Sequence, residues 1–300
     1  MYYSGFVSFL WSMPKHHTQT ILPPFISIII SLFNFICSSP MTLSKKKASR
    51  IDRISDLPSN VIDGILKHLD IQERVSTSIL SRKWRYMWTS VPYEELSFDA
   101  DFFSRFEELD DPGPEISRII TEVLFLHNGP IYSFTLDTHI FSNFLITNEY
   151  LNKWILFLSR RGIKHLQLLH CGMFNGLPYM KMPSLVFSCQ ELTHFRLSGF
   201  NLSVPPNFCG LKSLLVLDLE CNRYELGSLE SLIACCPLLE KLSILLYGDM
   251  KSICLKNAKN LIDLRLSVNQ ARVSGLIKSL PKIQRLAIDS YFNKVSKRHH

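Results

Sequence analysis

Two groups of side chains in this sequence have the composition that covalent or redox chemistry requires. Cys171 closely follows His165 and His170, and a thiol beside an imidazole is the pairing of a nucleophile with its general base. Cys235 and Cys236 are adjacent, as in a dithiol pair. Whether either group acts chemically depends on the element of the fold that holds it.

The cysteines as a set do not have the spacing of a metal site. None of the eight belongs to a C-x-x-C pair, and no histidine cluster accompanies them at ligand spacing. Most lie in apolar surroundings, as free buried thiols do. The sequence therefore predicts no metal site and no cofactor, and the unpaired thiols indicate a reducing compartment, the cytoplasm or the nucleus.

Length and charge limit the class of protein further. Three hundred residues permit one or two domains with a sizeable core, and a charged fraction of 20% argues against wholesale disorder. The net charge of +7 comes partly from Lys45–Lys47 and from Lys297 and Arg298 near the chain ends. Because this excess lies in short terminal runs, we expect no nucleic-acid partner.

An apolar L-x-x-L-x-L pattern recurs seven times between residues 131 and 288. Its successive starts are 32, 29, 22, 25, 22 and 22 residues apart, and the last four intervals are typical of leucine-rich repeats. Each unit would supply one strand and a returning helix or loop, and stacking would align the strands in a parallel sheet on a concave wall. We expect further helices at residues 115–127, 148–161 and 228–236.

This register predicts structural roles for the cysteines. Cys171 falls where repeats place an Asn or Cys that satisfies backbone groups in the turn after the strand, as do Asn222 and Asn269. Cys235 and Cys236 fall in a returning helix, so catalysis and redox pairing are not expected. Strand positions that alternate with the buried leucines should face solvent on the concave side: Gln167, Arg196, Asp218, Ser243, Arg265 and Ala287.

The stretch from Leu57 to Trp88 predicts a compact module of three helices. Pro58 suits a first helical turn, and an apolar stripe follows it at helical spacing. Asp70 and Glu73 have the spacing of a capping box for a second helix, and the third segment carries Trp84 and Trp88. Thirty or so residues enclose a small interior, so part of this apolar surface is expected to bind a partner.

Residues 51–99 resemble the start of a plant F-box/leucine-rich-repeat protein of the FBD-associated kind. The resemblance is carried by Leu57-Pro58, by the run 61–69, and by residues 78–85 followed by Trp88. It implies that the module docks on the Skp-type adaptor of a cullin–RING ubiquitin ligase. The residues implied at or just behind the adaptor surface are Leu57, Pro58, Ile62, Ile65, Leu66, Leu69, Leu80 and Trp84. The alternative is a helical subdomain that packs on its own C-terminal neighbour.

The repeat region resembles the same family more loosely, which implies a non-catalytic substrate receptor of an SCF-type ligase. The F-box would bind the adaptor, and through it the cullin, while the repeats bind a protein substrate. The concave-face candidates for substrate contact are Gln167, Arg196, Asp218, Ser243 and Arg265. Two alternatives remain: a repeat scaffold that does not act in ubiquitination, and a membrane-tethered binding protein.

The expected organisation is an α+β or α/β solenoid in which a three-helix F-box precedes an irregular repeat array. The segments are an apolar extension (1–40), a basic lead-in (41–55), the F-box (56–96), an acidic linker (97–117), the repeats (118–292) and a basic tail (293–300). Three interpretations of 1–40 stay open: an over-extended gene model with a true start at Met41, a membrane-targeting segment, or a peripheral hydrophobic tail. The C-terminal FBD segment of many family members is expected to be absent or truncated.

Overall fold

The computed structural model describes residues 54, 56–139, 146–170, 179–225, 227–245, 255–267 and 280–288. The extension 1–40, most of the lead-in, Cys171, Asn269 and the tail 293–300 lie outside the described residues. The chain divides into two compact units, Met1–Val91 and Pro92–His300. No helix within the described ranges is both long and apolar enough to cross a membrane.

The first unit consists of short helices. Helix α1 (Ser59–Lys67) begins directly after Pro58, and α2 is Ile71–Ser76. The third predicted helical segment is a 3-10 helix, Trp84–Thr89, and another 3-10 turn, Thr77–Ile79, extends the end of α2.

The capping box predicted at the start of α2 is confirmed. The Asp70 carboxylate accepts the Glu73 N–H at 2.7 Å, and the Glu73 carboxylate accepts the Asp70 N–H at 3.3 Å. Arg74, which sequence reasoning did not single out, is buried and donates to the carbonyls of Leu69 (2.8 Å) and Lys67 (3.2 Å). These bonds satisfy the last carbonyl of α1, which has no partner within that helix, and a carbonyl in the turn that follows it.

The second unit is built on a parallel sheet of eight strands in the order β1-β2-β3-β5-β7-β9-β10-β11. Seven of the strands coincide with the seven L-x-x-L-x-L units. The strands are β1 (Leu96–Phe98), β2 (Ser133–Asp137), β3 (His165–Leu169), β5 (His194–Ser198), β7 (Val216–Glu220), β9 (Lys241–Leu245), β10 (Asp263–Ser267) and β11 (Arg285–Ile288). The predicted mixture of helices with a parallel sheet is confirmed.

Helices and a second sheet complete this unit. The helices are α3 (Ala100–Phe103), α4 (Gly113–Leu126), α5 (Asn148–Ser159) and α6 (Ser228–Ala234), with 3-10 turns at Ser104–Phe106 and Ser184–Ser188. Gly162 follows α5 in the left-handed conformation (φ 67°) that glycine commonly adopts after the end of a helix. A small parallel sheet, not foreseen from sequence, joins β4 (Met180–Lys181), β6 (Phe200–Leu202) and β8 (Arg223–Tyr224).

The acidic segment 97–117 corrects one expectation, because it is not wholly a solvated linker. It contributes part of β1, all of α3 and the start of α4. Phe98, Phe102, Phe103 and Phe106 are buried, and Phe98 and Phe102 pack edge to face with ring centroids 4.8 Å apart. The acidic side chains that dominate the composition of this segment lie at the surface of the aromatic cluster. The average polarity of the segment therefore did not indicate that its phenylalanines form part of the core.

Candidate functional site

The predicted adaptor-binding residues of the first unit fall into an interior set and a surface set. Ile62, Leu66, Leu69 and Trp84 are buried within the unit. They form its core and hold the helices against one another, because the apolar stripe of α1 turns inward as its spacing predicts.

Trp84 also fixes the segment that precedes α1. Its indole Nε1 donates to the carbonyl oxygen of Ile54 at 3.3 Å, and the Lys83 ammonium donates to the carbonyl oxygen of Leu57 at 3.2 Å. The Leu57 N–H in turn donates to the Ile54 carbonyl at 3.3 Å. The position of the Leu57-Pro58 pair is therefore set by the Lys83-Trp84 segment.

The surface set is apolar and accessible to a partner. Pro58 and Leu80 are exposed, and Leu57 and Ile65 are half-buried. Three further exposed apolar side chains of the same unit lie outside the predicted adaptor set: Val61, Ile79 and Tyr86, of which Ile79 is 65% exposed. Ile79 lies in a 3-10 turn, where its direction does not follow the α-helical period used for prediction.

On the second unit, the solvent-facing strand positions form one continuous row. Backbone pairing places Gln167, Arg196, Asp218, Ser243, Arg265 and Ala287 opposite one another across neighbouring strands. All six are half-buried or exposed, as expected for the open face of the sheet. At about 4.8 Å between strands, the row is roughly 24 Å long.

Arg196 is the charged centre of this row. Its Nε lies 3.3 Å from Asp218 Oδ2, and its Nη2 lies 3.4 Å from Glu220 Oε2. Burial raises the pKa of the Asp218 carboxyl, and the opposing pull of Arg196 is smaller. These ion pairs are partly solvated, so their main effect is to orient the Arg196 side chain rather than to stabilise the fold strongly.

Asp137, His139 and Ser198 form a hydrogen-bonded series at one end of the same face. His139 Nδ1 lies 3.1 Å from Asp137 Oδ1, and His139 Nε2 lies 3.0 Å from Ser198 Oγ. Burial alone would raise the pKa of Asp137, but hydrogen bonds from the His139 ring and backbone N–H hold it below its ordinary value. The series connects the ends of β2 and β5 across β3.

The order of these three groups is that of a hydrolase triad, yet the surroundings do not support catalysis. Ser198 is fully buried, so its hydroxyl is closed to a substrate. The neighbouring N–H groups of Gly199, His170 and Phe200 all donate to protein acceptors, namely Glu220 O, Ser198 O and Asn222 Oδ1. An oxyanion hole requires such donors to be free for the substrate. The series is therefore structural.

Asn222 plays the role that the repeat register predicted. Its Oδ1 accepts the Phe200 N–H at 2.9 Å, and its Nδ2 donates to the Leu197 carbonyl at 2.7 Å. Its buried side chain thus satisfies two backbone groups of the preceding unit where the chain leaves β5. His139, at the corresponding place in the first unit, bonds side chains instead.

Three of the described cysteines, Cys189, Cys221 and Cys236, are buried thiols, whereas Cys235 is half-buried and Cys209 is exposed. Burial raises the pKa of Cys189 to about 12 and that of Cys236 to about 11. Cys236 lies buried just after α6, as its predicted apolar role requires. In the part of the chain that the structure describes, no three His, Cys, Asp or Glu side chains are grouped as metal ligands.

A small cavity lies at the ends of β2 and β3, with His170 among its otherwise largely apolar lining. Its volume of about 10 Å³ is close to the room that one water molecule needs. Burial, and to a smaller extent His139, lowers the pKa of His170. The cavity is too small for an organic ligand.

Two family models match separate parts of the chain. The F-box domain model matches residues 54–95, which include the whole described helical unit from Asp56 to Val91. A model described as "FBD-associated F-box protein At5g56370, LRR repeats" matches residues 151–299, which include β3 to β11. Neither description names an enzyme.

Curated relatives join both parts in single proteins. F-box/FBD/LRR-repeat protein At1g13570 of Arabidopsis thaliana is 34% identical over 274 residues, covering 81% of this chain and 63% of the relative. The homologues of this chain are plant F-box/leucine-rich-repeat proteins. F-box/LRR-repeat protein 13 of the same plant is 29% identical, and the match covers 66% of this chain and 42% of the relative. The chain thus spans less than two thirds of either relative.

Proposed function

We propose that the chain is the substrate receptor of an SCF-type cullin–RING ubiquitin ligase. The observation that carries this proposal is the presence in one chain of an F-box segment and a repeat region, matched at residues 54–95 and 151–299. F-box domains typically bind Skp-type adaptors, so the first unit would attach the receptor to the adaptor and through it to a cullin.

The adaptor surface would consist of accessible apolar side chains supported by a buried layer. Leu57, Pro58, Ile65 and Leu80 would contact the adaptor directly, while Ile62, Leu66, Leu69 and Trp84 would hold them in place from inside the unit. The exposure of Ile79 and Tyr86 supports including them in the contact. Burial of such side chains on binding contributes about 25 cal/mol per Å² of apolar surface.

The substrate surface would be the row from Gln167 to Arg265 on the open face of a solenoid sheet. Its oriented Arg196 and the exposed Arg265 would contact a protein substrate, with Asp218 and Ser243 between them. The chain would make no bond itself. Its contribution would be to raise the effective concentration of a substrate lysine near the ligase.

This role places the protein in the cytoplasm, the nucleus or both, with protein partners and no nucleic-acid ligand. In this proposal the F-box segment 56–96 and the repeats 118–292 keep the bounds proposed from sequence. The acidic segment 97–117 is grouped with the repeats. A repeat scaffold that binds the adaptor without recruiting a cullin is the outcome that would replace this function.

Affinity capture with paired variants tests the function. A chain carrying Leu80→Asp would bind substrate without delivering it to the ligase, so captured substrate should accumulate relative to wild type. Adding Arg196→Glu and Arg265→Glu to that chain should abolish the accumulation. Adaptor binding by the wild type with no cullin in the captured complex would instead establish the scaffold.

A further inference from the structure

His165 and His194 form a pair that the proposed function does not use. They lie directly opposite each other on β3 and β5, and their rings are 4.3 Å apart between centroids with planes inclined at 60°. Both side chains are exposed. They lie on the same face as the Gln167–Arg196 row, two residues nearer the start of each strand.

A hydrogen-bond chain reaches the Nδ1 atom of His194. The Thr193 hydroxyl donates to the carbonyl oxygen of Lys164 at 3.1 Å, and Thr193 Oγ1 lies 3.0 Å from His194 Nδ1. When the hydroxyl donates to this carbonyl, its oxygen accepts the hydrogen of His194 Nδ1. The neutral ring then keeps its lone pair on Nε2.

The surroundings of the pair disfavour a positive charge on His194. Burial, then His165 and then Lys241, lowers the pKa of His194. The other nearby ammonium, that of Lys164, lies over the Tyr132 ring, 5.3 Å from its centroid.

We propose that His165 and His194 bind a borderline divalent transition metal ion such as Cu²⁺ or Zn²⁺, with Thr193 as the outer partner that orients His194. Imidazole nitrogens lie about 2.0–2.1 Å from such ions, so the exposed His165 ring would rotate to bring a nitrogen to the shared position. No third His, Cys, Asp or Glu is grouped with the pair among the described residues. The remaining coordination positions are open to water or to a donor from a protein bound on the sheet face.

A measurement of unfolding free energy can distinguish metal binding by His165 and His194 from binding by other histidines. The chain also has adjacent histidines at 16–17 and 299–300, and neighbours in sequence stay close when the chain unfolds. His165 and His194 are 29 positions apart and come together only in the folded sheet. A metal ion bound by this pair therefore raises the free energy of unfolding, whereas binding that is equal in the folded and unfolded states does not.

The experiment is urea unfolding of the full chain with CuCl₂ or ZnCl₂ as the only added ligand. The wild type should gain stability with metal, more from Cu²⁺ than from Zn²⁺. His165→Gln with His194→Gln should abolish the gain without changing metal-free stability. Thr193→Val should weaken apparent affinity roughly tenfold, and His68→Gln, in the other unit, should have no effect. An equal gain in the double variant and the wild type would overturn the proposal.

Discussion

The indole Nε1 of Trp84 donates a hydrogen bond to the carbonyl oxygen of Ile54 at 3.3 Å, thirty positions earlier in the chain. This bond links the last helical segment of the F-box unit to the residues just before Leu57 and Pro58. The surface that we assign to the adaptor therefore depends on an interior residue at the other end of the unit.

Replacing Trp84 tests this dependence. Trp84→Ala should destabilise the unit by about 3–5 kcal/mol because it empties a buried aromatic site. Trp84→Phe, which retains an aromatic ring but removes the donor, should cost less. Tyr86→Phe, at an exposed aromatic, should stay within about 0.5 kcal/mol of the wild type. Urea unfolding followed by circular dichroism measures all three, and a Trp84→Ala variant as stable as Tyr86→Phe would contradict the assigned role.

Asn222 should be costly to replace because two buried backbone groups depend on it. Asn222→Ala leaves the Phe200 N–H and the Leu197 carbonyl without the side-chain partners they have now. Each unsatisfied buried group costs about 1–3 kcal/mol. Asn201→Ala, at a half-buried position of β6, is the matched control and should cost less. Equal losses of unfolding free energy in the two variants would contradict the role assigned to Asn222 in the turn after β5.

Replacing two glycines that have similar backbone angles distinguishes the cost of a steric clash from the cost of backbone strain. Gly199 (φ 79°) and Gly227 (φ 75°) both disfavour other residues. A Cβ at position 199 would lie 2.0 Å from the His170 carbonyl oxygen, whereas one at 227 meets nothing within 4 Å. Gly227→Ala should cost about 1–2 kcal/mol from left-handed strain alone, and Gly199→Ala clearly more. Thermal unfolding compares them, and equal losses would mean that β5 and β6 adjust freely beside His170.

The Asp137–His139–Ser198 series predicts a pH-dependent contribution to stability. The pKa of Asp137 is held below its ordinary value of 3.8 in the folded chain. The ionised carboxylate therefore stabilises the folded state above that pH, and the contribution disappears as pH falls through the lowered pKa. The difference in unfolding free energy between wild type and Asp137→Asn should be largest near neutral pH and shrink below about pH 4. The titration of His170 occurs in both proteins, so its effect cancels from this difference. A difference in unfolding free energy that does not vary with pH would contradict a stabilising role for the Asp137–His139–Ser198 series.

Much of the second unit follows from local pattern. Leucines at alternate positions indicate strands with one buried side, so both the seven repeat strands and the solvent-facing row from Gln167 to Ala287 were predictable. Asn222 was predictable because a turn position in each repeat needs a side chain that can bond backbone groups. In the first unit, the spacing of Asp70 and Glu73 predicted the start of α2.

Other features depend on contacts between distant residues. His139 and Ser198 are separated by 59 positions and meet only because β2 and β5 flank β3 in register. The His165–His194 pair requires the same alignment. The place of Phe98 in a core strand could not be predicted from composition because many of the residues around it are acidic. The exposure of Ile79 could not be predicted from α-helical periodicity because Ile79 lies in a 3-10 turn.

Direct adaptor binding is the measurement that tests the account most closely. The full chain should bind a purified Skp-type adaptor in isothermal titration calorimetry, and Leu57→Ala combined with Pro58→Ala should abolish binding. Leu80→Asp should also abolish it, because Leu80 is 44% exposed and its replacement leaves the core intact. Leu238→Asp, at a leucine 49% exposed in the other unit, should bind like the wild type. Equal adaptor affinity in the wild type, Leu80→Asp and the Leu57/Pro58 double variant would contradict the assignment of this surface.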